Sequence, residues 1–198
     1  MKIATIVGSL RKDSFNMRLA RYMQEQFKHK MDIEILEIHE LPFYNQDIEL
    51  DPPESVQIFK HKVNMADAVL WITPEYNYSI PGVTKNAIDW LSRVDKVMKG
   101  KPSWILGSSM GFLGSVRAQL HLREILFSPS IASPFYQGHE VYIGTAHEKF
   151  NEQGELIHEP TKQYLETVTD QFIEWMESGS WRFNPSTTNS SISTMSRV

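Results

Sequence analysis

Short apolar runs alternate with helical patterns along most of this 198-residue sequence. Because strands that alternate with helices form βαβ units, the pattern predicts one parallel sheet with helices on both faces. The predicted strands are Lys2–Val7, Asp32–Ile38, Ala68–Thr73, Ser103–Gly107 and Glu140–Ile143. The predicted helices are Ser14–Lys28, Glu54–Asn64, Val83–Val94, Ser115–Leu126 and Thr161–Ser178. Five strands in such a chain suit a doubly wound sheet with the strand order 2-1-3-4-5.

The loop after the first predicted strand has the composition of a phosphate-binding site. It runs from Gly8 to Asn16 and leads directly into the first predicted helix. Ser9 and Ser14 supply hydroxyl groups, and Arg11 supplies a cation. Asn16 adds an amide, at a helix start where backbone N–H groups lack partners and carry partial positive charge. On the alternative interpretation, Ser14 only caps the helix and Arg11 is solvated.

The residue types in this loop favour a ligand with a single phosphate monoester. A Walker-type loop brackets a Lys-Ser/Thr pair with glycines, and a dinucleotide-binding loop reads G-x-G-x-x-G. Gly8 is the only glycine between residues 8 and 16, so the backbone cannot wrap a triphosphate or approach a pyrophosphate closely. FMN carries one terminal phosphate, and flavodoxin-like sheets bind FMN at their switch point. The sequence therefore predicts a flavodoxin-like α/β fold with FMN as cofactor.

Two other loops are expected at the same edge, because open parallel sheets bind ligands beyond the carboxyl ends of their strands. After the third strand, residues 73–82 carry prolines near both ends, Tyr76 and Tyr78 to face a planar ring, and Asn77 to face a pyrimidine edge. After the fourth strand, residues 107–117 are rich in glycine and serine, which permits close backbone approach. The alternatives are an ordinary turn with a tyrosine over the sheet edge, and a linker before a capped helix.

Composition excludes several classes of function. The formal net charge of −4 and the pI near 6.0 give no electrostatic attraction for nucleic acid or an anionic membrane. Cysteine is absent, and the histidines are scattered without metal-ligand or triad spacing, so no metal is expected. No apolar stretch has the length of a membrane span or a signal sequence, which makes the cytoplasm the expected compartment.

The chain length suits one domain, and the last residues differ in character from the rest. Residues 1–179 carry the strand and helix patterns. Residues 180–198 are polar and low in complexity, which predicts a flexible tail because little apolar surface offsets the ordering entropy. On the alternative interpretation, Trp181 and Phe183 pin part of this tail to the body or to a neighbouring subunit.

Three segments together resemble the NADPH-dependent FMN reductase family, and the resemblance covers roughly residues 1–178. They are the loop Gly8–Asn16, the stretch Pro74–Trp90 and the stretch Gly111–Gln119. Three motifs in register are more specific than any one of them. The resemblance implies a flavodoxin-like reductase, in a family that includes members reducing quinones, azo dyes and chromate.

The resemblance also implies a set of FMN-binding residues. Those that would hold the phosphate are Ser9, Arg11, Ser14 and Asn16, and Phe15 would also contact the cofactor. Those that would flank the isoalloxazine ring are Pro74, Glu75, Tyr76 and Asn77. Those that would close the other side are Ser108, Ser109, Gly111 and Gly114. Where the family commonly has a glycine pair, this chain has Gly114-Ser115, which would add a side chain beside the approach of the nicotinamide.

The expected reaction passes hydride from NADPH or NADH through FMN to a quinone, an azo compound, a flavin or a similar acceptor, with ping-pong kinetics. No catalytic side chain is expected, and Glu75 is given no role in proton transfer. The rival interpretation is a flavodoxin-type electron carrier, which Arg11 and the mild net charge disfavour. A receiver domain would need acidic residues after strands one and three, where this chain has Gly8-Ser9 and Thr73-Pro74.

The resemblance implies a homodimer or homotetramer with the flavin near the subunit boundary. Two predicted helices support this expectation of a subunit contact, because they carry more apolar residues than one sheet-facing stripe requires. These residues are Trp90, Leu91, Val94, Leu120, Leu122, Ile125 and Leu126. The alternative is that they pack within the chain.

Overall fold

The computed structural model describes residues 1–138 and 140–182. The strands within these ranges are β1 (Lys2–Val7), β2 (Asp32–Leu36), β3 (Ala68–Ile72), β4 (Ser103–Ser108) and β5 (Val141–Ile143). They form one parallel sheet with the order β2-β1-β3-β4-β5. The predicted flavodoxin-like fold is confirmed, and each predicted strand agrees with the structure to within about two residues at its ends.

The described helices include five that the sequence predicts and one that it does not. They are α1 (Phe15–Gln26), α2 (Glu54–Met65), α3 (Gly82–Ser92), α4 (Val116–Leu126), α5 (Ala146–Lys149) and α6 (Glu159–Ser178). The short α5 is absent from the prediction because four residues are too few for a helical period to show. A 3-10 helix, Gln46–Ile48, lies in the long connection between β2 and α2.

The strands are apolar along most of their length because helices cover both faces of the sheet. Side chains of β1 alternate between the two faces. Ile3 and Val7 pack in the core that includes α1 and α6, while Ala4 and Ile6 pack in the core that includes α2, α3 and α4. Within the described residues, helices thus cover much of both faces, and a ligand is expected at the ends of the strands.

The chain leaves β1 and β3 toward opposite faces of the sheet. The buried side of α1 belongs to one core, and the buried side of α3 belongs to the other. Since β1 and β3 are hydrogen-bonded neighbours, a crevice opens between the loops at their carboxyl ends. This is the switch point at which open α/β sheets bind ligands.

Most of the apolar surplus that the sequence suggested for a subunit contact is used within one chain. The residues fully buried in the core are Trp90, Leu91, Leu122 and Leu126, and Ile125 packs partly against it. For these residues the prediction of a surplus is wrong, and packing within the chain is confirmed. Val94 and Leu120 remain exposed.

Only the start of the predicted tail can be described. Residues 183–198 lie outside the described residues, while Ser180 to Arg182 form a turn after α6. The Trp181 indole donates a hydrogen bond to the Met176 carbonyl at 3.2 Å, which attaches the turn to the end of α6.

Among the described helices, none combines the length and apolarity needed to cross a membrane. The cytoplasmic compartment stays a prediction.

Candidate functional site

Three loops meet at the carboxyl edge of the sheet, as the sequence predicts. The β1 loop (residues 8–14), the β3 loop (residues 73–81) and the β4 loop (residues 109–115) follow three adjacent strands of one parallel sheet. Parallel strands end at the same edge, so the loops enclose one region. The three predicted groups of binding residues therefore lie on neighbouring loops or on the first or last residues of the elements beside them.

The β1 loop is folded by the hydroxyl groups that were predicted to bind phosphate. Ser14 is the N-cap of α1, and its Oγ accepts a hydrogen bond from the backbone N–H of Asn16 at 3.2 Å. The Oγ of Ser9 accepts from the backbone N–H of Arg11 at 3.3 Å. Capping by Ser14 is thus confirmed, and each hydroxyl hydrogen still has a direction in which to donate to a ligand. Arg11 is exposed, with its guanidinium carbon 5.7 Å from the centre of the Phe15 ring.

The amide of Asn16 bonds within the chain. Asn16 is buried, its Nδ2 donates to the carbonyl of Ser108 at 2.9 Å, and its Oδ1 accepts from the N–H of Ser108 at 2.9 Å. Both ends of the amide are therefore used to join the β1 loop to the end of β4. The predicted contact of this side chain with a phosphate stays a prediction. A bond across 92 residues of sequence leaves no local signal from which it could be predicted.

The β3 loop contains a tight turn with unusual backbone angles. Asn77 and Tyr78 have φ angles of 51° and 63°, and the backbones of Tyr76 and Ser79 exchange two hydrogen bonds of 2.9 and 3.0 Å. Positive φ at both central residues is the geometry of a type I′ turn, which usually requires Asn or Gly. A tyrosine in this conformation is strained. The turn leaves the rings of Tyr76 and Tyr78 exposed at the sheet edge.

Glu75 reaches from the β3 loop to the start of α4. Its Oε2 accepts hydrogen bonds from the backbone N–H groups of Arg117 at 2.9 Å and Ala118 at 3.4 Å. Glu75 Oε1 also lies 3.5 Å from the Arg117 guanidinium. The carboxylate that was predicted to flank the ring is thus bonded within the protein.

Two backbone features shape the β4 loop: close approach of other atoms to Gly107, near the end of β4, and left-handed conformation at the end of the loop. At Gly107, an added Cβ would lie 1.9 Å from the Ser115 Oγ and 2.5 Å from the Thr73 carbonyl oxygen, so a side chain cannot fit. Gly114 and Ser115 have φ angles of 58° and 65°. Two successive left-handed residues explain in physical terms why a glycine pair suits this position, and Ser115 costs about 1–2 kcal/mol of strain there.

The side chain of Ser115, which the family resemblance would place beside the approach of the nicotinamide, is buried within the chain. Ser115 is 2% exposed, and its Oγ accepts a hydrogen bond from Gln119 Nε2 at 3.3 Å. The left-handed backbone turns the side chain inward. The departure from the glycine pair therefore adds backbone strain and places the added side chain in the interior.

Two side chains of α4 near these loops are missing from the predicted set of binding residues. The guanidinium carbon of Arg117 lies 4.4 Å from the centre of the Tyr78 ring, and His121 Nδ1 lies 2.7 Å from Ser79 Oγ. Residues four apart share one face of a helix, so the sequence indicates that these two side chains lie together. The sequence does not indicate which face of the helix meets the β3 loop, so it does not predict their contacts with that loop.

The residues at this edge fit a ligand with a phosphate at one end and a planar ring at the other. The Ser108 Oγ is buried without a partner in the described chain, although buried polar groups are nearly always bonded. Large apolar side chains are also exposed together along the three loops, where a flat ring would cover them. These side chains are Leu10, Tyr76, Tyr78, Met110, Phe112 and Leu113. FMN has both chemical parts.

Comparison with known proteins agrees with this description. The sequence model of the family described as NADPH-dependent FMN reductase matches residues 1–148. A 2-hydroxy-1,4-benzoquinone reductase from Burkholderia sp. is 39% identical over 178 residues, which cover 89% of this chain and 96% of that protein.

Solved structures match as well. The flavoenzyme NAD(P)H:(acceptor) oxidoreductase FerB from Paracoccus denitrificans superposes with a TM-score of 0.81 at 38% identity, covering 89% of this chain and 97% of that one. A flavodoxin from Pseudomonas aeruginosa shares the fold, with a TM-score of 0.55 at 14% identity over 89% of this chain and 99% of that one.

Proposed function

The chain belongs to the NADPH-dependent FMN reductase family, and we propose that it passes hydride from NADPH or NADH through bound FMN to a quinone by a ping-pong mechanism. It is an oxidoreductase whose cofactors are FMN and a nicotinamide nucleotide. A quinone is chosen because a relative covering nearly the whole chain is named for that reaction. Azo compounds and free flavins are further candidate acceptors.

One observation supports this proposal most strongly. The β1 loop, which has the composition of a phosphate-binding site, lies beside an exposed apolar edge. Arg11 and the hydroxyls of Ser9 and Ser14 stand at the N-terminus of α1, where the helix dipole favours an anion. The exposed rings and aliphatic side chains lie on the neighbouring β3 and β4 loops. One cofactor can reach both regions, since the strands that carry them are adjacent.

The chain's own residues bind, orient and shield, because FMN when bound supplies the hydride and electron chemistry. The β1 loop holds the phosphate end, and the β3 and β4 loops hold the ring. The proposed ring-binding residues lie on one open rim, where Phe112 is 87% exposed, and we expect flat reactants to use the same space above them in turn. The oxidised nicotinamide therefore leaves before the acceptor enters, which is the physical reason to expect ping-pong kinetics.

Initial rates test the reductase and its mechanism together. With FMN-loaded protein and benzoquinone, double-reciprocal plots at several fixed NADPH concentrations should be parallel, because the two substrates use one space in turn. Intersecting lines would contradict the ping-pong proposal. A protein that binds FMN but oxidises neither NADPH nor NADH would support the electron-carrier alternative.

The phosphate end is tested with Arg11→Ala. We expect FMN affinity to fall by about 1.5–3 kcal/mol, because a charge-assisted contact to the phosphate is lost. Riboflavin, which lacks the phosphate, should bind the variant as it binds the wild type, with Arg21→Ala as the control for removing an exposed cation from α1. Equal weakening of FMN and riboflavin would place Arg11 away from the phosphate.

We also propose that the protein assembles as a homodimer or homotetramer with the flavin near the subunit boundary. The support is the family resemblance, together with apolar side chains that remain exposed on α4 and just after it, such as Leu120 at 48% and Phe127 at 76%. Light scattering at micromolar concentration should give a multiple of 22.9 kDa, and Leu120→Asp should lower that mass and the FMN content together. A monomer with full FMN occupancy and full reductase activity would contradict this proposal.

A further inference from the structure

Helix α4 begins with a cap that another part of the chain supplies. Ser115 occupies the N-cap position, but its left-handed backbone turns the side chain away, and it makes no hydrogen bond to the helix N–H groups. The second and third helical residues, Arg117 and Ala118, instead donate to Glu75 Oε2. The β3 loop thus performs for α4 the task that an N-cap side chain normally performs.

Charge strengthens this contact. The Glu75 carboxylate stands at the positive end of α4, and its side chain is 17% exposed, so water screens it only in part. The Arg117 guanidinium lies 3.5 Å from the same carboxylate and 4.4 Å from the ring centre of Tyr78, which belongs to the same loop as Glu75. The first turn of α4 therefore holds the β3 loop at two points.

The two points lie on either side of the strained part of the loop. Asn77, with φ of 51°, lies between Glu75 and Tyr78, which itself has φ of 63°. Such angles persist only where surrounding contacts determine them, and they concentrate at functional sites. The contacts of Glu75 and Tyr78 with α4 supply that determination here.

The same contact fixes the far end of the β4 loop. The near end of that loop is held where Asn16 bonds both backbone groups of Ser108, and the far end is held where Glu75 bonds the start of α4. The exposed side chains of Met110, Phe112 and Leu113 lie between these two anchored ends. Glu75 thus determines how the two loops that carry the proposed ring-binding residues are placed relative to each other.

We propose that Glu75 is a positioning residue that holds the β3 loop against α4 and so presents a preorganised subsite for the flavin ring. This inference rests on the proposed function. Its carboxylate is used by the start of α4, and it takes no part in proton transfer. Ordering the loops before the cofactor binds lowers the entropic cost of binding.

The experiment compares Glu75→Ala and Glu75→Gln with Glu124→Gln, which removes an exposed carboxylate from the same helix. Flavin affinity is measured by fluorescence quenching with FMN and with riboflavin. Glu75→Ala should weaken both ligands by about tenfold, because the loss concerns the ring end, which both share. Glu75→Gln should weaken both by about threefold, since its amide oxygen still accepts from Arg117 N–H but carries no charge. Glu124→Gln should match the wild type.

Two further readouts separate positioning from other roles. The visible circular dichroism of the bound flavin should change in Glu75→Ala and return toward the wild-type signal in Glu75→Gln, because that signal reports how the ring is held. The pH profile of kcat/KM should be unchanged in Glu75→Gln, whereas loss of one limb of the profile would show a proton-transfer role and overturn the inference. If Glu75→Ala does not fold, Glu75→Gln carries the test alone.

The outcomes also distinguish this inference from the function on which it rests. Wild-type affinity and circular dichroism in both Glu75 variants would overturn the positioning role while leaving the reductase proposal intact. A wild-type protein that binds neither FMN nor riboflavin would overturn the function itself. Weakening of FMN alone, with riboflavin unaffected, would assign Glu75 to the phosphate end and overturn the inference.

Discussion

Burial of both faces of the parallel sheet is the constraint on which the rest of this structure depends. Among the described residues, α1 and α6 pack against one face, and α2, α3 and α4 pack against the other, so a ligand site is expected at the ends of the strands. Reversal of the crossover direction between β1 and β3 then opens a crevice at one end. Every feature of the candidate site follows from that crevice, because it decides which loops become neighbours.

Hydrogen bonds between those loops hold the crevice in a defined shape. The Asn16 amide joins the β1 loop to the end of β4, and the Glu75 carboxylate joins the β3 loop to the start of α4. Both side chains connect parts of the chain that are far apart in sequence and use polar groups that a ligand was expected to use. The site is therefore built from two sets of polar groups, one that holds the loops and one that faces the ligand. The backbone strain at Tyr78 and Ser115 is tolerated because these hydrogen bonds hold the loops in place.

The sequence predicts the fold well because the relevant signals are local. Apolar runs of five or six residues mark strands buried on both faces, and the polar loop after β1 precedes a helix with a serine cap. The four-residue α5 lacks such a signal. The locations of the three site loops follow from the strand pattern, since parallel strands share one carboxyl edge.

Predictions about individual side chains succeed less often, because tertiary contacts decide them. The amide of Asn16 bonds Ser108, which the fold brings next to it and which no sequence pattern indicates. Ser115 was expected to project outward, and its left-handed backbone turns it inward. The apolar residues of α3 and α4 were counted as surplus, although one chain buries most of them. In each case the sequence indicates the residue type but not the direction of the side chain, since that direction depends on φ and on packing.

A crystal structure of the protein with FMN bound tests the central claim most directly. We expect the phosphate within hydrogen-bonding distance of Ser9, Arg11 and Ser14 and the isoalloxazine ring between the β3 and β4 loops. We also expect the loop backbones to move by less than about 1 Å on binding, as in preorganised complexes. A phosphate bound elsewhere, or a loop rearrangement that breaks the bonds from Glu75 to the start of α4, would contradict the account.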